Sequence, residues 1–298
     1  MLTYLKLLAT AAFWGGTFVA GRLLAGVIPP FNAAFLRFAV ASALLLVLLY
    51  QHLGKLPRLT RRQFGAVLLL GSTGVLGYNV AFFSGLQTVE ASRAGLIIAL
   101  NPVGITLLSA LIGGEPLTLP RTLGVVISMT GAILVISRGD IALLTSGIGA
   151  GELALFGCVI CWSLYSVIGR RAMHELTPLT AVTYSATAGT LLLLPLSLSQ
   201  NLFEQLGNYP LTAFASIFYL AIFGTVLGFL WYYQAIRTIG AVRSGVFINF
   251  VPLFAVLFGV VLLGERLSAS LIQGAILVTA GVWFTNHGTR TKLKLPEA

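Results

Sequence analysis

Charged residues punctuate this chain at wide intervals, and the stretches between them are long and apolar. Windows without any Asp, Glu, Lys or Arg run through residues 7–21, 38–54, 63–89, 94–114, 122–137, 153–169, 176–203, 205–236, 244–264 and 267–289. A further window, 23–36, is the approach to the second of these stretches, and Arg37 separates the two. A hydrocarbon layer about 30 Å thick is crossed by roughly 20 apolar residues in a helix. The pattern therefore predicts ten transmembrane helices, near 3–24, 32–51, 64–86, 91–112, 119–137, 150–170, 178–199, 211–236, 241–263 and 269–287. The first stretch has no clean small-residue cleavage site and has a counterpart later in the chain, so it reads as a retained helix rather than a leader. Connections of four to a dozen residues leave no room for a soluble domain.

Composition agrees. Of 298 residues, 57% are hydrophobic and 9% charged, whereas a soluble domain carries roughly 25% charged residues. The net charge of +10 does not point to nucleic acid, because the basic residues sort by side. With ten spans and the N-terminus inside, the inner segments hold Lys6, Lys55, Arg58, Arg61, Arg62, Arg121, Arg170, Arg171, Arg237, Arg243, Arg290, Lys292 and Lys294. The outer segments hold Arg22, Arg93, Arg138 and Arg266, and Arg37 lies within a span. Cytoplasmic loops collect Lys and Arg in this way. Both termini are expected in the cytoplasm of a bacterial inner-membrane protein, with residues 288–298 as a basic tail.

The chain repeats itself. At an offset of 150, residues 91–118 align without gaps on residues 241–268: Arg93 with Arg243, Gly95 with Gly245, Pro102 with Pro252, Gly114 with Gly264 and Glu115 with Glu265. Gly124 with Gly274 and Gly131 with Gly281 continue the match. At an offset of 148, Trp14 pairs with Trp162, Gly21 with Gly169, Arg22 with Arg170 and Pro30 with Pro178. Five spans per half is an odd number, so the second half enters the membrane from the opposite side. The expected fold is all-α: two inverted five-helix repeats, residues 1–138 and 149–287, around a central cavity. Secondary transporters place their substrate near the midplane of such an arrangement.

Each half ends in Pro, then Gly-Glu-x-Leu: Pro102 with Gly114-Glu115-Pro116-Leu117, and Pro252 with Gly264-Glu265-Arg266-Leu267. Together with Trp14-Gly15 through Arg22 and the pair Arg37-Phe38, this pattern resembles the EamA-type members of the drug/metabolite transporter superfamily. The resemblance covers essentially the full length. It implies that spans 1–4 and 6–9 surround the cavity, that spans 5 and 10 pack together as a scaffold, and that export of amino acids or related metabolites is the commonest role. Pro116 departs from the pattern, which usually has a basic residue there.

Several residues carry candidate chemistry. Pro102 and Pro252 lie about eleven residues into the fourth and ninth spans, where proline removes a backbone hydrogen bond and frees the carbonyl four residues back, here those of Ile98 and Ile248. A kink or hinge beside the cavity is expected. Asn101, Asn249 and Asn79 are amides at membrane depth, and serve either as interhelical hydrogen bonds or as substrate contacts. Trp14 and Trp162, mid-span at equivalent positions, need indole partners that an aqueous cavity could supply. Phe18, Tyr78, Phe82, Tyr165 and Tyr184 are further candidates for its wall, and Tyr232 and Tyr233 belong either there or at an interface. Arg37 is an intramembrane charge and so a functional candidate: it either binds a substrate carboxylate or snorkels outward. Gly124, Gly131, Gly274 and Gly281 are packing surfaces, within the monomer or in a homodimer. Arg93 and Arg243 open the fourth and ninth spans while Glu115 and Glu265 close them. If those spans run antiparallel side by side, Arg93–Glu265 and Arg243–Glu115 form two gating pairs. Otherwise the four are interfacial charges that cap helices and touch headgroups.

No nucleotide-binding Gly-Lys-Ser/Thr loop is present. Cys158 and Cys161 read as small apolar residues, the three histidines are scattered, and no span contains Asp or Glu away from its ends. No metal or cofactor is expected. The reading is a secondary transporter, moving a small neutral or zwitterionic metabolite through the bilayer. The alternatives are a non-transporting membrane subunit or sensor and a membrane-embedded enzyme. The enzyme would need a His, Asp or Glu cluster that the spans lack.

Overall fold

The computed structural model describes residues 2–113, 118–137, 139–140, 148–172, 175–239, 247–248 and 250–287, and among them there is no strand. Among the described residues, each predicted span overlaps helix, the ninth over Val251–Leu263. The first half contains α1 (Leu2–Leu24), α2 (Pro30–Leu53), α3 (Arg61–Leu70), α4 (Tyr78–Gly85), α5 (Ala91–Ile98), α6 (Asn101–Gly113) and α7 (Leu119–Ile136). The second contains α8 (Ala150–Ala172), α9 (Pro178–Ser199), the short α10 (Leu202–Gln205), α11 (Leu211–Tyr219), α12 (Gly228–Ile239), α13 (Val251–Leu263) and α14 (Ala269–His287). Among the described residues, seven helical stretches are long and apolar enough to cross a membrane, and Thr122–Val135, Val251–Leu263 and Ala269–Phe284 are shorter apolar helices. Large apolar side chains such as Leu111, Leu211 and Val261 are exposed. Such a surface is suited to lipid, and the chain is a multi-pass membrane protein.

The repeated prolines have a local task. Pro30 and Pro178 are the first residues of α2 and α9, where a missing N–H costs nothing because it would have no intrahelical partner. The repeated Arg22 donates through Nη1 to the carbonyls of Leu86 (2.6 Å) and Gln87 (2.8 Å), capping the end of α4. Thr60 and Gln63 form a reciprocal capping box at the start of α3.

Two features depart from the expected spans. The fourth is not a kinked continuous helix: α5 stops at Ile98, two residues turn, and α6 restarts at Asn101. Pro102 therefore occupies the first turn of α6, and Pro252 likewise the first turn of α13. The third and eighth spans each contain a π-helical segment, Gly71–Gly77 between α3 and α4 and Leu220–Leu227 between α11 and α12. At the repeat offset these segments coincide to within one residue.

α7 and α14 pack closely along their glycines. A Cβ on Gly131 would stand 2.7 Å from the Val278 nitrogen and 2.9 Å from the Gly274 carbonyl oxygen, and one on Gly281 would stand 2.6 Å from the Gly124 carbonyl oxygen. The expected glycine surface is thus used within the monomer. The helices α2 and α9 also pack together, and Ser42 and Thr190 share a hydrogen bond of 2.9 Å between them. At one end of this pair Asn32, fully buried, is satisfied on all sides. It donates to Gln200 O (3.1 Å) and Tyr209 Oη (2.9 Å) and accepts from Ser197 Oγ (2.7 Å).

Candidate functional site

A cavity of about 110 Å³ opens where the broken span, both π-helical spans and α1 meet. Its aromatic wall comes from Trp14, Phe18, Tyr78, Phe82, Trp162 and Phe229. The break supplies Ile98, Ala99 and Asn101, and the start of α13 supplies Val251 and Pro252, with Ile248 before it. Ile98 and Ile248, four residues before the two prolines, both line the cavity, the setting in which irregular backbone is tolerated at membrane depth. Val278, Thr279 and Val282 of α14 also line it, so the tenth span contributes to the wall as well as to the scaffold.

The aromatic wall is built by ring contacts, two of them between the halves. Tyr78 and Trp162 lie 5.5 Å apart and Trp162 and Phe229 6.3 Å, while Trp14 meets Phe229 at 5.7 Å. The Trp14 indole does not rely on cavity water. Its Nε1 donates to the Gly224 carbonyl at 3.0 Å, inside the second π-helical segment. Gly224 must be glycine because a Cβ there would stand 2.7 Å from Thr17 Cγ2.

Arg37 is the charged group on the cavity wall, and it does not snorkel. It is 7% exposed, its Nε donates to Thr225 Oγ1 (3.2 Å), its Nη1 donates to Asn79 Oδ1 (3.1 Å), and its guanidinium carbon lies 5.1 Å from the Phe38 ring centroid. No carboxylate pairs with it among the described residues. Asn79 lies behind the guanidinium rather than on the wall, and its Nδ2 donates to Val75 O at 2.9 Å. Thr225 was not singled out from the sequence, where a lone threonine in an apolar span carries no signal of its own.

Other expectations are corrected. Tyr165 lies beside Trp162 (5.5 Å) against Gly74, outside the cavity lining. Tyr184 is remote: its hydroxyl donates to Pro57 O at 2.7 Å, fastening the loop before α3. Tyr232 sits behind Trp14 at 5.4 Å, lining a smaller crevice rather than the main cavity. Asn101 is on the wall, but its Oδ1 is buried without a hydrogen-bond partner. Asn249, Arg243, Glu115 and the side chains of Pro102 and Tyr233 lie outside the described residues. Of the two expected gating pairs, Arg93–Glu265 is the one whose residues are both described. Glu265 does not turn to Arg93. Its Oε1 accepts from the Ala91 N–H (2.7 Å) and its Oε2 from the N–H (3.0 Å) and hydroxyl of Ser92, so it caps the N-terminus of α5. Arg93 Nε lies 3.5 Å from Glu90 Oε2. Unsatisfied N–H groups and the helix dipole make a better seat for a carboxylate than a guanidinium one turn away.

Comparison with known proteins decides the family. The EamA-like transporter family model matches twice, over residues 1–137 and 149–287. The chain belongs to the EamA-like transporter family. It is 33% identical over 280 residues to the uncharacterized transporter YyaM of Bacillus subtilis (strain 168), covering 94% of this chain and 92% of that one. It is 27% identical over 283 residues to a protein of Streptantibioticus cattleyicolor named a probable terminal-alkyne amino-acid exporter, covering 95% and 93%. A crystal structure with 21% identity superposes with a TM-score of 0.63 over 96% of this chain and 98% of that one, which speaks for the fold alone. The EamA-like chain is accordingly a membrane transporter.

Proposed function

We propose that this transporter exports amino acids or related small zwitterionic metabolites across the bacterial inner membrane, by alternating access between two inverted five-helix repeats. In this reading all ten helical spans cross, residues 1–138 and 149–287 form the repeats, both termini face the cytoplasm and residues 288–298 are a basic tail. Two contacts support an in-plane pseudo-twofold. Ser42 bonds Thr190 and Ser128 Oγ bonds Val278 O (3.4 Å), pairing positions 148 and 150 apart. These are the repeat offsets themselves, and residues that lie on a twofold axis touch their own equivalents.

The observation that carries the substrate assignment is the Arg37 guanidinium, without a carboxylate partner among the described residues, in a wall of aromatic rings. A buried cation calls for an anion, and the rings suit an apolar side chain. At about 110 Å³ the cavity is somewhat smaller than the roughly 150 Å³ that holds one benzene, the scale of a small amino acid and too small for a nucleotide sugar. The name of the Streptantibioticus relative agrees in class.

Counterflow in proteoliposomes with a panel of labelled amino acids tests the proposal. Uptake is expected for zwitterions with apolar side chains, and Arg37→Gln is expected to lower it at least tenfold. Absence of counterflow for every amino acid, with a correctly assembled protein, overturns the assignment.

A further inference from the structure

The guanidinium of Arg37 is held by two buried residues that do not touch the cavity, Asn79 and Thr225. Each is pinned as an acceptor by a π-helical segment. A threonine hydroxyl has one proton, and Thr225 places it on Leu220 O at 3.0 Å. Leu220 is five residues back, the spacing of the π-helix in which both residues lie. Only lone pairs remain for Arg37 Nε. Asn79 commits its Nδ2 to Val75 O, inside the other π-helical segment, so its Oδ1 must face Arg37 Nη1. One guanidinium is thereby tied to the irregular segments of both halves.

Both acceptors are neutral, and this separates orientation from neutralisation. A structural arginine at membrane depth would be expected beside a carboxylate that cancels its charge. Here two hydrogen bonds fix the plane and leave the full positive charge, with three of the five N–H donors uncommitted to these two acceptors, both of those on Nη2 among them. Gly224 lies on that side, where a Cβ would stand 3.6 Å from Nη2, in van der Waals contact. A planar fork with paired donors matches a carboxylate in two-point contact.

We propose that Asn79 and Thr225 are positioning residues that hold Arg37 as a fixed, unneutralised fork, and that this fixation makes the site select carboxylates over isosteric neutral groups. The inference rests on the reading of Arg37 as the substrate anchor. The test measures, in full-length protein in proteoliposomes, the preference for an apolar amino acid over its carboxamide as competitors of counterflow. Quenching of the cavity tryptophans reports binding of the same two ligands in detergent. Thr225→Val keeps the shape and removes the acceptor, and its preference ratio is expected to fall about 10-fold, the size of one hydrogen bond to a charged group. Thr225→Ser is expected to keep the ratio within about twofold. Asn79→Asp retains the acceptor but neutralises the arginine from within, and is expected to abolish the preference. A merely structural role would weaken both ligands alike. An unchanged ratio in Thr225→Val and Asn79→Asp, where Arg37→Gln destroys it, overturns the positioning role while leaving the anchor. An unchanged ratio in Arg37→Gln overturns the anchor and the inference together. If Thr225→Val does not assemble, Asn79→Asp decides alone.

Discussion

Removing one carboxylate oxygen from Glu265 should loosen one short helix and little else. Glu265 follows α13, beyond the left-handed C-cap Gly264 (φ 67°), and its own N–H bonds Gly259 O at 3.1 Å. From there it reaches across the fold to the start of α5, where Glu90 occupies the N-cap without a side-chain capping bond. The carboxylate supplies what Glu90 does not, accepting from Ala91 N–H, Ser92 N–H and the Ser92 hydroxyl. Gly259 makes room for it, since a Cβ there would overlap Oε2. In Glu265→Gln an amide NH₂ must face at least one of these donors. Losing a cap costs about 0.5–2 kcal/mol, and losing the charge at the helix N-terminus about 0.3–1 kcal/mol. A total near 2 kcal/mol corresponds to roughly 30-fold faster local opening. Hydrogen–deuterium exchange in lipid nanodiscs should show this acceleration in peptides covering residues 91–98, with α2 unchanged as the internal reference. Gly259→Ala should produce the same local effect by displacing the carboxylate, and the double variant should add little to either single change. Unchanged protection of residues 91–98 in Glu265→Gln would refute the cap, and an equal acceleration over all helices would refute its locality.

Three further outcomes follow from the geometry. Gly131→Ala drives a methyl group into the Val278 nitrogen and the Gly274 carbonyl; overpacking of this kind costs about 1–3 kcal/mol, and the apparent melting temperature of the purified protein should fall. Cysteines at Trp14 and Trp162, in a background lacking Cys158 and Cys161, should react with a small water-soluble thiol reagent, and protection of both sites in every condition would contradict a shared cavity. Tyr184→Phe breaks the bond to Pro57 O at a cost of about 1 kcal/mol, so stability should drop slightly while the counterflow rate stays within twofold; a larger loss of transport would contradict its distance from the site.

The positions of the helices were legible because hydrocarbon imposes a length and a polarity on each span, and the charges that end the spans are few. Trp14, Phe18, Tyr78, Phe82, Trp162 and Asn101 were found on the wall by the same logic, since bulky aromatics and amides at mid-span need a reason to be there. Tyr165 and Tyr184 lie off the wall, and a phenol can satisfy itself on a neighbouring backbone carbonyl, as Tyr184 does on Pro57. The broken fourth span was half legible. Pro102 signals a lost hydrogen bond, but whether the helix bends or stops depends on what receives the freed carbonyl. A cavity there lets it stop. For Glu265, matching opposite charges pointed to Arg93, whereas the exposed N–H groups of Ala91 and Ser92 were invisible without knowing where α5 begins.

The π-helical segments were not legible at all, and their absence from the sequence reading explains the missed threonine. GSTGVLG and LAIFGTVL differ in composition, and Gly74 with Gly224 is the position they share at the repeat offset. An extra residue in a turn lengthens the hydrogen-bond spacing and turns side chains out of the α-helical register, so periodicity assigns Thr225 and Asn79 to the wrong faces. A different question would have reached them. An arginine that does not snorkel at membrane depth must donate to something, and uncharged acceptors leave its charge available. The search then narrows to hydroxyls and amides on other spans at the depth of Arg37. Asn79 and Thr225 answer that description, one from each half, and the backbone irregularity beside each is what aims it.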